Sequence, residues 1–260
     1  MQYWKERKMN ILISNDDGIN SVGLKSLVKA FSRLGDVYVV APEGQRSSTS
    51  HHLTCEGMVK IEKREIEYAK EAYALWGTPA DCAYLGLDFL YKDKINLLVS
   101  GINVGLNVST DIVYSGTIAA AREAYIHKIP SVAVSIDYSG NVNYDVAAEY
   151  GVLISEKYLQ DEKRNDYFLN INVPNLKKEE IKGIRVCDRV AVIHYDNNLS
   201  MVEKDGEKYI KINDVQIEVS NDPDDIREDY TAVKKGYVAV TPLYNDHFSH
   251  EYMKHVEKML

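Results

Sequence analysis

The sequence predicts an α/β protein built on a doubly wound, mostly parallel sheet, extended by a β-hairpin and closed by a C-terminal helix. Three observations carry that prediction. Short apolar runs such as Ile11-Leu12-Ile13 and Leu97-Leu98-Val99 read as strands buried on both faces, as in a parallel sheet. Segments with apolar residues at helical spacing alternate with those runs, the pattern of right-handed crossover connections. Past Asn172-Val173-Pro174 the pattern changes to polar–apolar alternation around an Asp205-Gly206 turn signal, which reads as antiparallel β.

The first strand, Met9 to Ser14, runs into Asn15-Asp16-Asp17-Gly18. Leu24, Leu27, Val28, Phe31 and Leu34 then share one face of a helix that Gly35 is expected to close. Val37 to Val40 is the next strand, followed by Ala41-Pro42 and a long hydroxyl-rich loop from Glu43 to Thr54. Thr78-Pro79-Ala80-Asp81 opens a helix, with Thr78 as N-cap, Pro79 at the first position and Asp81 bonding back as in a capping box. Leu97-Leu98-Val99 ends in Ser100-Gly101, and a second long loop reaches Ser115. An alanine-rich helix from Gly116 to about Lys128, a strand from Ser131 to Ser135 and a helix from Tyr144 to Leu159 complete a core over 9–172.

The range 173–225 reads as an antiparallel extension, with Leu199 to Glu203 and Lys208 to Ile212 flanking the turn and Gln216 to Val219 continuing the alternation. Met201, Tyr209 and Ile212 set against Glu203, Lys208 and Lys211 give the hairpin one face that the core or another subunit must cover. The acidic run from Asn221 to Asp229 reads as a solvated loop. The range 226–260 adds a strand, Tyr237 to Val240, and a last helix to Met259 capped by Ser249. The three ranges make essentially one domain.

Composition excludes several classes. A net charge of −8 argues against a protein that coats polymeric nucleic acid, which needs a basic surface. Cys55, Cys82 and Cys187 are odd in number and far apart, so neither a disulfide framework nor a zinc site is expected, and a reducing, cytoplasmic compartment is. Gln2 to Lys8 is charged, with no signal-peptide apolar stretch behind it, and reads as a short extension. No run approaches membrane-spanning length, so a soluble protein without a membrane partner is expected.

Chemistry concentrates where strands end. Asp16 and Asp17 stand side by side at the C-terminal end of a buried strand, the edge where open α/β sheets bind ligands. Two such acids repel unless a cation joins them, and hard divalent ions favour oxygen. Gly18 allows the turn that would bring both to one ion; an Asx-type turn that caps the following helix is the plainer alternative. Ser115-Gly116-Thr117 at a helix start offers backbone amides, hydroxyls and the positive dipole end to a phosphate, or is an ordinary N-cap. Asn103, Asn107 and Ser47, each taken alone, are turn or loop residues. Together these features suggest metal-assisted phosphoryl chemistry.

Six motifs then appear in one order: Asn15-Asp16-Asp17-Gly18; Ala41-Pro42 with Arg46-Ser47; Gly77-Thr78-Pro79-Ala80-Asp81-Cys82; Ser100 to Asn107; Tyr114-Ser115-Gly116-Thr117; and Gly236-Tyr237-Val238 with Thr241-Pro242-Leu243. In that order they resemble the SurE family of survival-protein 5′-nucleotidases over nearly the whole chain. The resemblance implies a Rossmann-like core and a metal-dependent phosphatase acting on nucleoside 5′-monophosphates. It also implies a homodimer or homotetramer built partly through the hairpin and C-terminal segments. By motif position it implies metal ligands Asp16, Asp17, Ser47 and Asn103, with Asp16, Asp17 and Asn103 catalytic. Phosphate would sit against Ser115, Gly116 and Thr117, with Asn107 nearby.

Oxygen-only ligation favours one Mg²⁺ or Mn²⁺ over structural zinc. Attack by metal-activated water is expected, with an aspartyl-phosphate through Asp16 or Asp17 as competitor; adjacent acids count against the covalent route. A 3′-nucleotide or short polyphosphate substrate, or a nucleotide-binding sensor without hydrolysis, stays open. The chain departs from the family pattern at Val104, where arginine is frequent, at Ser109, where glycine is usual, and at His51-His52, where small polar residues are common. The two histidines are expected to face solvent, with assistance to proton transfer as the alternative.

Overall fold

Six parallel strands form the centre of the sheet, and their order places β1 at the point where the chain changes direction. The computed structural model describes residues 9–189, 191–220, 222–245 and 250–260. In chain order its strands are β1 (Met9–Ser14), β2 (Gly35–Pro42), β3 (Ile61–Arg64), β4 (Ala69–Leu75), β5 (Leu97–Val104), β6 (Ser131–Ile136), β7 (Phe168–Val173), β8 (Ile184–Val186), β9 (Val192–Lys204), β10 (Glu207–Ser220) and β11 (Val238–Leu243). The helices are α1 (Val22–Phe31), α2 (Pro79–Leu85), α3 (Asp111–Tyr114), α4 (Gly116–Ile126), α5 (Tyr144–Tyr158), α6 (Asp229–Lys234) and α7 (His250–Met259).

The main sheet runs β3-β4-β2-β1-β5-β6-β7-β11-β8. β4 through β7 are mutually parallel, β3 and β11 are antiparallel to their inner neighbours, and β8 lies parallel to β11. From β1 the chain winds outward through β2 and β4, then returns to β5 and winds the other way. The β1/β5 boundary is therefore the topological switch point, where such sheets open a crevice.

Side-chain alternation fills both layers. Ile11 and Ile13 pack with Leu24, Phe31 and Val152 on the α1/α5 face, while Leu12 packs with Cys82, Ala83 and Ala120 on the α2/α4 face. All three strand residues are fully buried, each worth roughly 1.5–3 kcal/mol. The Thr78 capping box forms as the sequence predicts, with Thr78 Oγ1 accepting from the Asp81 amide and Asp81 Oδ2 accepting from the Thr78 amide. No helix among the described residues is long and apolar enough to cross a membrane.

Several elements differ from the sequence expectation. α1 ends at Phe31, and Gly35 opens β2 instead of closing the helix. There a Cβ would lie 2.0 Å from the Met9 carbonyl oxygen, so glycine is set by strand approach. β3 and β4 were not expected; the Lys and Glu in β4 mask a strand with only one inner neighbour in the parallel set. The range after Val173 is not wholly antiparallel, since β8 joins the main sheet parallel to β11. The acidic run ends in a buried residue: Asp229 is fully inaccessible and begins α6, so it is no part of a solvated loop. Ser249, Asn221 and the N-terminal extension lie outside the described residues.

β9 and β10 form a separate two-stranded sheet. Asp205 and Gly206 both have positive φ, 56° and 78°, as a type I′ hairpin turn requires. The register pairs Leu199 with Ile212 and Met201 with Ile210, placing these four on one exposed face. Tyr209 pairs with Val202 on the other face, and Glu203 shares the face of Met201, which corrects the expected grouping.

Candidate active site

The crevice at the switch point is built around a buried carboxylate. Asp16 leaves β1 at the sheet's C-terminal edge and points to the α4 face, where Thr117 Oγ1 donates to its Oδ1 at 2.6 Å. The Thr117 backbone amide adds a second bond. Asp16 thus lies at the positive end of α4, whose N-cap is Ser115. Contact is close enough to demand a glycine: a Cβ on Gly116 would come 2.9 Å from Pro79 Cγ and 3.0 Å from Asp16 Cβ. Burial pushes the Asp16 carboxyl up from 3.8 to about 6; the Thr117 hydrogen bond opposes that rise and the Asp17 charge adds to it.

Asp17 is half-buried beyond the turn, held by the Val104 backbone amide, and burial also raises its carboxyl. Asn15 shapes the turn between them. Its side chain accepts from the Gly18 amide and donates to the Gly18 carbonyl and to Ser21, the N-cap of α1. The Asx-turn and the paired carboxylates therefore coexist on different residues. Across the switch point, the β5–β6 register passes from Gly101–Val134 to Asn103–Ser135, leaving Ile102 as an extra residue. This bulge re-aims the strand end. Asn103 Nδ2 donates to the Gly105 carbonyl at 2.7 Å, and because a carbonyl only accepts, Oδ1 is left as a free acceptor.

The Glu43–Thr54 loop closes over the turn. The Arg46 amide donates to the Asp16 carbonyl at 2.7 Å, and Gly18 approaches Gly44 so closely that a Cβ would lie 3.0 Å away. Ser47, next in line, is exposed, its Oγ accepting from Gln45 Nε2. Asn107 is buried: its amide donates to Asn172, its Nδ2 to Ser135, and its carbonyl accepts from Asn170 and Asn172. Ser115 Oγ accepts from the Ile118 amide. Asp16 and Thr117 are in contact, Asp17 and Asn103 lie at the same strand edge, Ser47 follows the Arg46 tether but is exposed and bonded to Gln45, and Asn107 is fixed against β6 and β7.

Three supports were missed from sequence. Asn170 and Asn172 stand on one face of β7, and polar residues at i and i+2 within the apolar run Phe168–Val173 were the available signal. Asp229 accepts from the amides of Ser109, Ala191 and Tyr230, tying the loop before Ser115 to the root of the hairpin. Ser109 sits at φ 57°, which explains why glycine is at ease there. His51 does not face solvent as expected: its Nε2 lies 2.6 Å from the buried Glu123 carboxylate.

The donor set suits a hard divalent cation. Among the described residues neither Asp16 nor Asp17 has a salt-bridge partner, and the oxygen donors offered along this edge by Asp16, Asp17, Asn103 and Ser47 are of the type a hard cation takes. Raised carboxyl values without a cation mean that ionised Asp16 opposes folding. The penalty is absent below 3.8, grows with pH and is complete above about 6, on the order of 3 kcal/mol. With divalent ions chelated, Asp16→Asn is expected to unfold at higher temperature than the parent at pH 7.5, the gap narrowing toward pH 4. Thr117 keeps an acceptor in the variant. An Asp16→Asn protein less heat-stable than the parent at pH 7.5 contradicts this.

Comparison with known proteins identifies the family. The family described as "Survival protein SurE" matches residues 11–196. The 5′-nucleotidase SurE of Clostridium botulinum (strain Loch Maree / Type A3) is 38% identical over 256 residues, covering 96% of this chain and 99% of that protein. The 5′-nucleotidase SurE of the Alaska E43 / Type E3 strain is 38% identical over 259 residues, with the same coverage. The crystal structure of the SurE protein from Aquifex aeolicus superposes with a TM-score of 0.80 at 36% identity, covering 96% of this chain and 99% of that one. The chain belongs to the SurE family.

Proposed function

We propose that this protein is a 5′-nucleotidase, a phosphoric monoester hydrolase that converts nucleoside 5′-monophosphates to nucleoside and phosphate with one divalent ion, Mg²⁺ or Mn²⁺. The observation that carries the proposal is the Asp16–Asp17 pair at the switch point, with Asp16 buried against the N-terminus of α4, Asp17 half-buried beside it, and no cationic partner for either among the described residues. Family membership supplies the substrate class, through relatives named 5′-nucleotidases. Asp16, Asp17, Ser47 and Asn103 are the proposed ligands. When bound, such an ion neutralises charge on the phosphoryl group and acidifies water.

The chain's own groups divide the remaining work. Thr117 spends its hydroxyl and amide protons on Asp16, so it orients a ligand and is not the first donor to phosphate. Among the described residues the Ser115 hydroxyl only accepts, which leaves its proton for a phosphate oxygen, as well as the second Nδ2 proton of Asn107. The Gly116 amide lies at the start of α4 beside them. As adjacent residues Asp16 and Asp17 would both serve the ion, which favours water over either carboxylate as the nucleophile: its oxygen bonds phosphorus as the P–O5′ bond breaks, and one of its protons passes to O5′, so that the nucleoside leaves as an alcohol.

Phosphate release from 5′- and 3′-mononucleotides and a short polyphosphate, with several divalent ions, tests the proposal. The expected result is a 5′-mononucleotide preference that needs Mg²⁺ or Mn²⁺, and a loss of at least about 100-fold in Asp17→Asn with the fold intact. Activity unaffected by chelation contradicts the metal assignment. Preference for 3′-nucleotides or polyphosphate contradicts the substrate assignment, and nucleotide binding without release favours a sensor.

The same reading includes self-association as a homodimer or homotetramer through the hairpin. Leu199, Met201, Ile210 and Ile212 form an exposed apolar face on a ribbon that pairs only with itself. Neither polymeric nucleic acid nor a membrane is a proposed partner, and the free Cys55, Cys82 and Cys187 support a cytoplasmic setting. Replacing residues 199–212 with a short Gly/Ser link is expected to lower the sedimenting mass class while Mn²⁺ binding persists. A monomeric parent at micromolar concentration, or an unchanged mass class, contradicts the role of the hairpin.

A further inference from the structure

The loop that carries Ser47 is an arch with two feet. One foot is the Arg46 amide on the Asp16 carbonyl. The other is a pair of neighbours: the Ser50 amide and hydroxyl donate to the Tyr114 and Val113 carbonyls, and His51 grips Glu123 on α4. Between the feet Ser48 has φ 56°, and Ser50 has φ 51° at the far foot, left-handed conformations that side chains disfavour. Such a segment keeps its shape only if its ends are held. Glu123 is a firm anchor, with 8% of its side chain exposed, on the helix whose first turn holds Asp16. Its other partner is His127, which in turn meets Asp88; no Lys or Arg reaches it among the described residues.

We propose that His51 is a positioning residue: its hydrogen bond to Glu123 pins the far foot of the arch to α4 and so holds the Ser47 oxygen beside the Asp16–Asp17 turn. The inference rests on the reading of Ser47 as a metal ligand. A carboxylate only accepts, so His51 donates through Nε2. Glutamine at position 51 can place an N–H near that point, phenylalanine keeps the ring but has no donor, and asparagine is too short to reach.

The test is equilibrium Mn²⁺ binding to the full-length protein, followed by the electron paramagnetic resonance of free Mn²⁺, with thermal unfolding beside it. His51→Phe and His51→Asn are expected to weaken binding about tenfold, and His51→Gln to stay within about threefold of the parent, the range for losing or keeping one hydrogen bond to a charged group. Tyr158→Phe removes the hydroxyl that donates to the Arg164 or the Tyr167 carbonyl at the distant end of α5, and should lower heat stability without changing Mn²⁺ affinity. His51→Asn carries the test if His51→Phe does not fold. Parent-like affinity in both His51→Phe and His51→Asn, neither of which can bond Glu123, overturns the inference and leaves the metal site standing. A His51→Gln protein as weak as His51→Phe overturns it too, because the hydrogen bond is then not what matters. A parent that binds no Mn²⁺ overturns the metal reading and this inference together.

Discussion

The arrangement of this protein's functional edge follows from one contact, the Asp16 carboxylate held by Thr117 at the N-terminus of α4. A buried carboxylate is costly, and a helix dipole with two N–H and O–H donors offsets only part of that cost. The contact therefore fixes geometry more than it contributes stability. It draws α4 against the end of β1, which excludes any side chain at Gly116 and brings Pro79 of α2 into the same wall. Beyond the turn Asp17 accepts from the Val104 amide at the bulged end of β5. Two adjacent acids, with no cationic partner among the described residues, make a centre that is electrostatically incomplete.

The surrounding loops are tied to this contact by backbone groups. Arg46 binds the Asp16 carbonyl, and Asp229 gathers the amides of Ser109, Ala191 and Tyr230. Ser109 also donates its hydroxyl to the Ala191 carbonyl, so the loop between Asn107 and Ser115 and the root of the β9–β10 ribbon share one buried knot.

Much of the fold was legible because its strongest signals are local. Ile11 to Ile13 alternates between two helix layers, and Thr78-Pro79-Ala80-Asp81 caps α2 by bonds within four residues. The Asp205-Gly206 turn needs only two positive φ values. What was not legible depends on distant partners. β4 is a strand because β2 pairs with it, not because of its own pattern. Gly35 looks like a helix terminator until Met9 is placed against it. At the site, residue types pointed to Asp16, Asp17, Asn103 and the Ser115 turn, but not to where Thr117 sends its proton. Nor could sequence pair His51 with Glu123 across 72 positions, or Asp229 with Ser109 across 120.

The central claim is that the Asp16–Asp17 turn is folded around the place of a divalent cation. The most direct measurement is the thermal midpoint of the parent protein at pH 7.5 as Mn²⁺ is added after chelation. Binding to the native state alone raises stability by RT ln(1 + [L]/Kd), so the midpoint should climb with Mn²⁺ concentration. It should stay flat in Asp17→Asn. A parent midpoint that ignores Mn²⁺, or one that climbs equally in Asp17→Asn, would contradict the account.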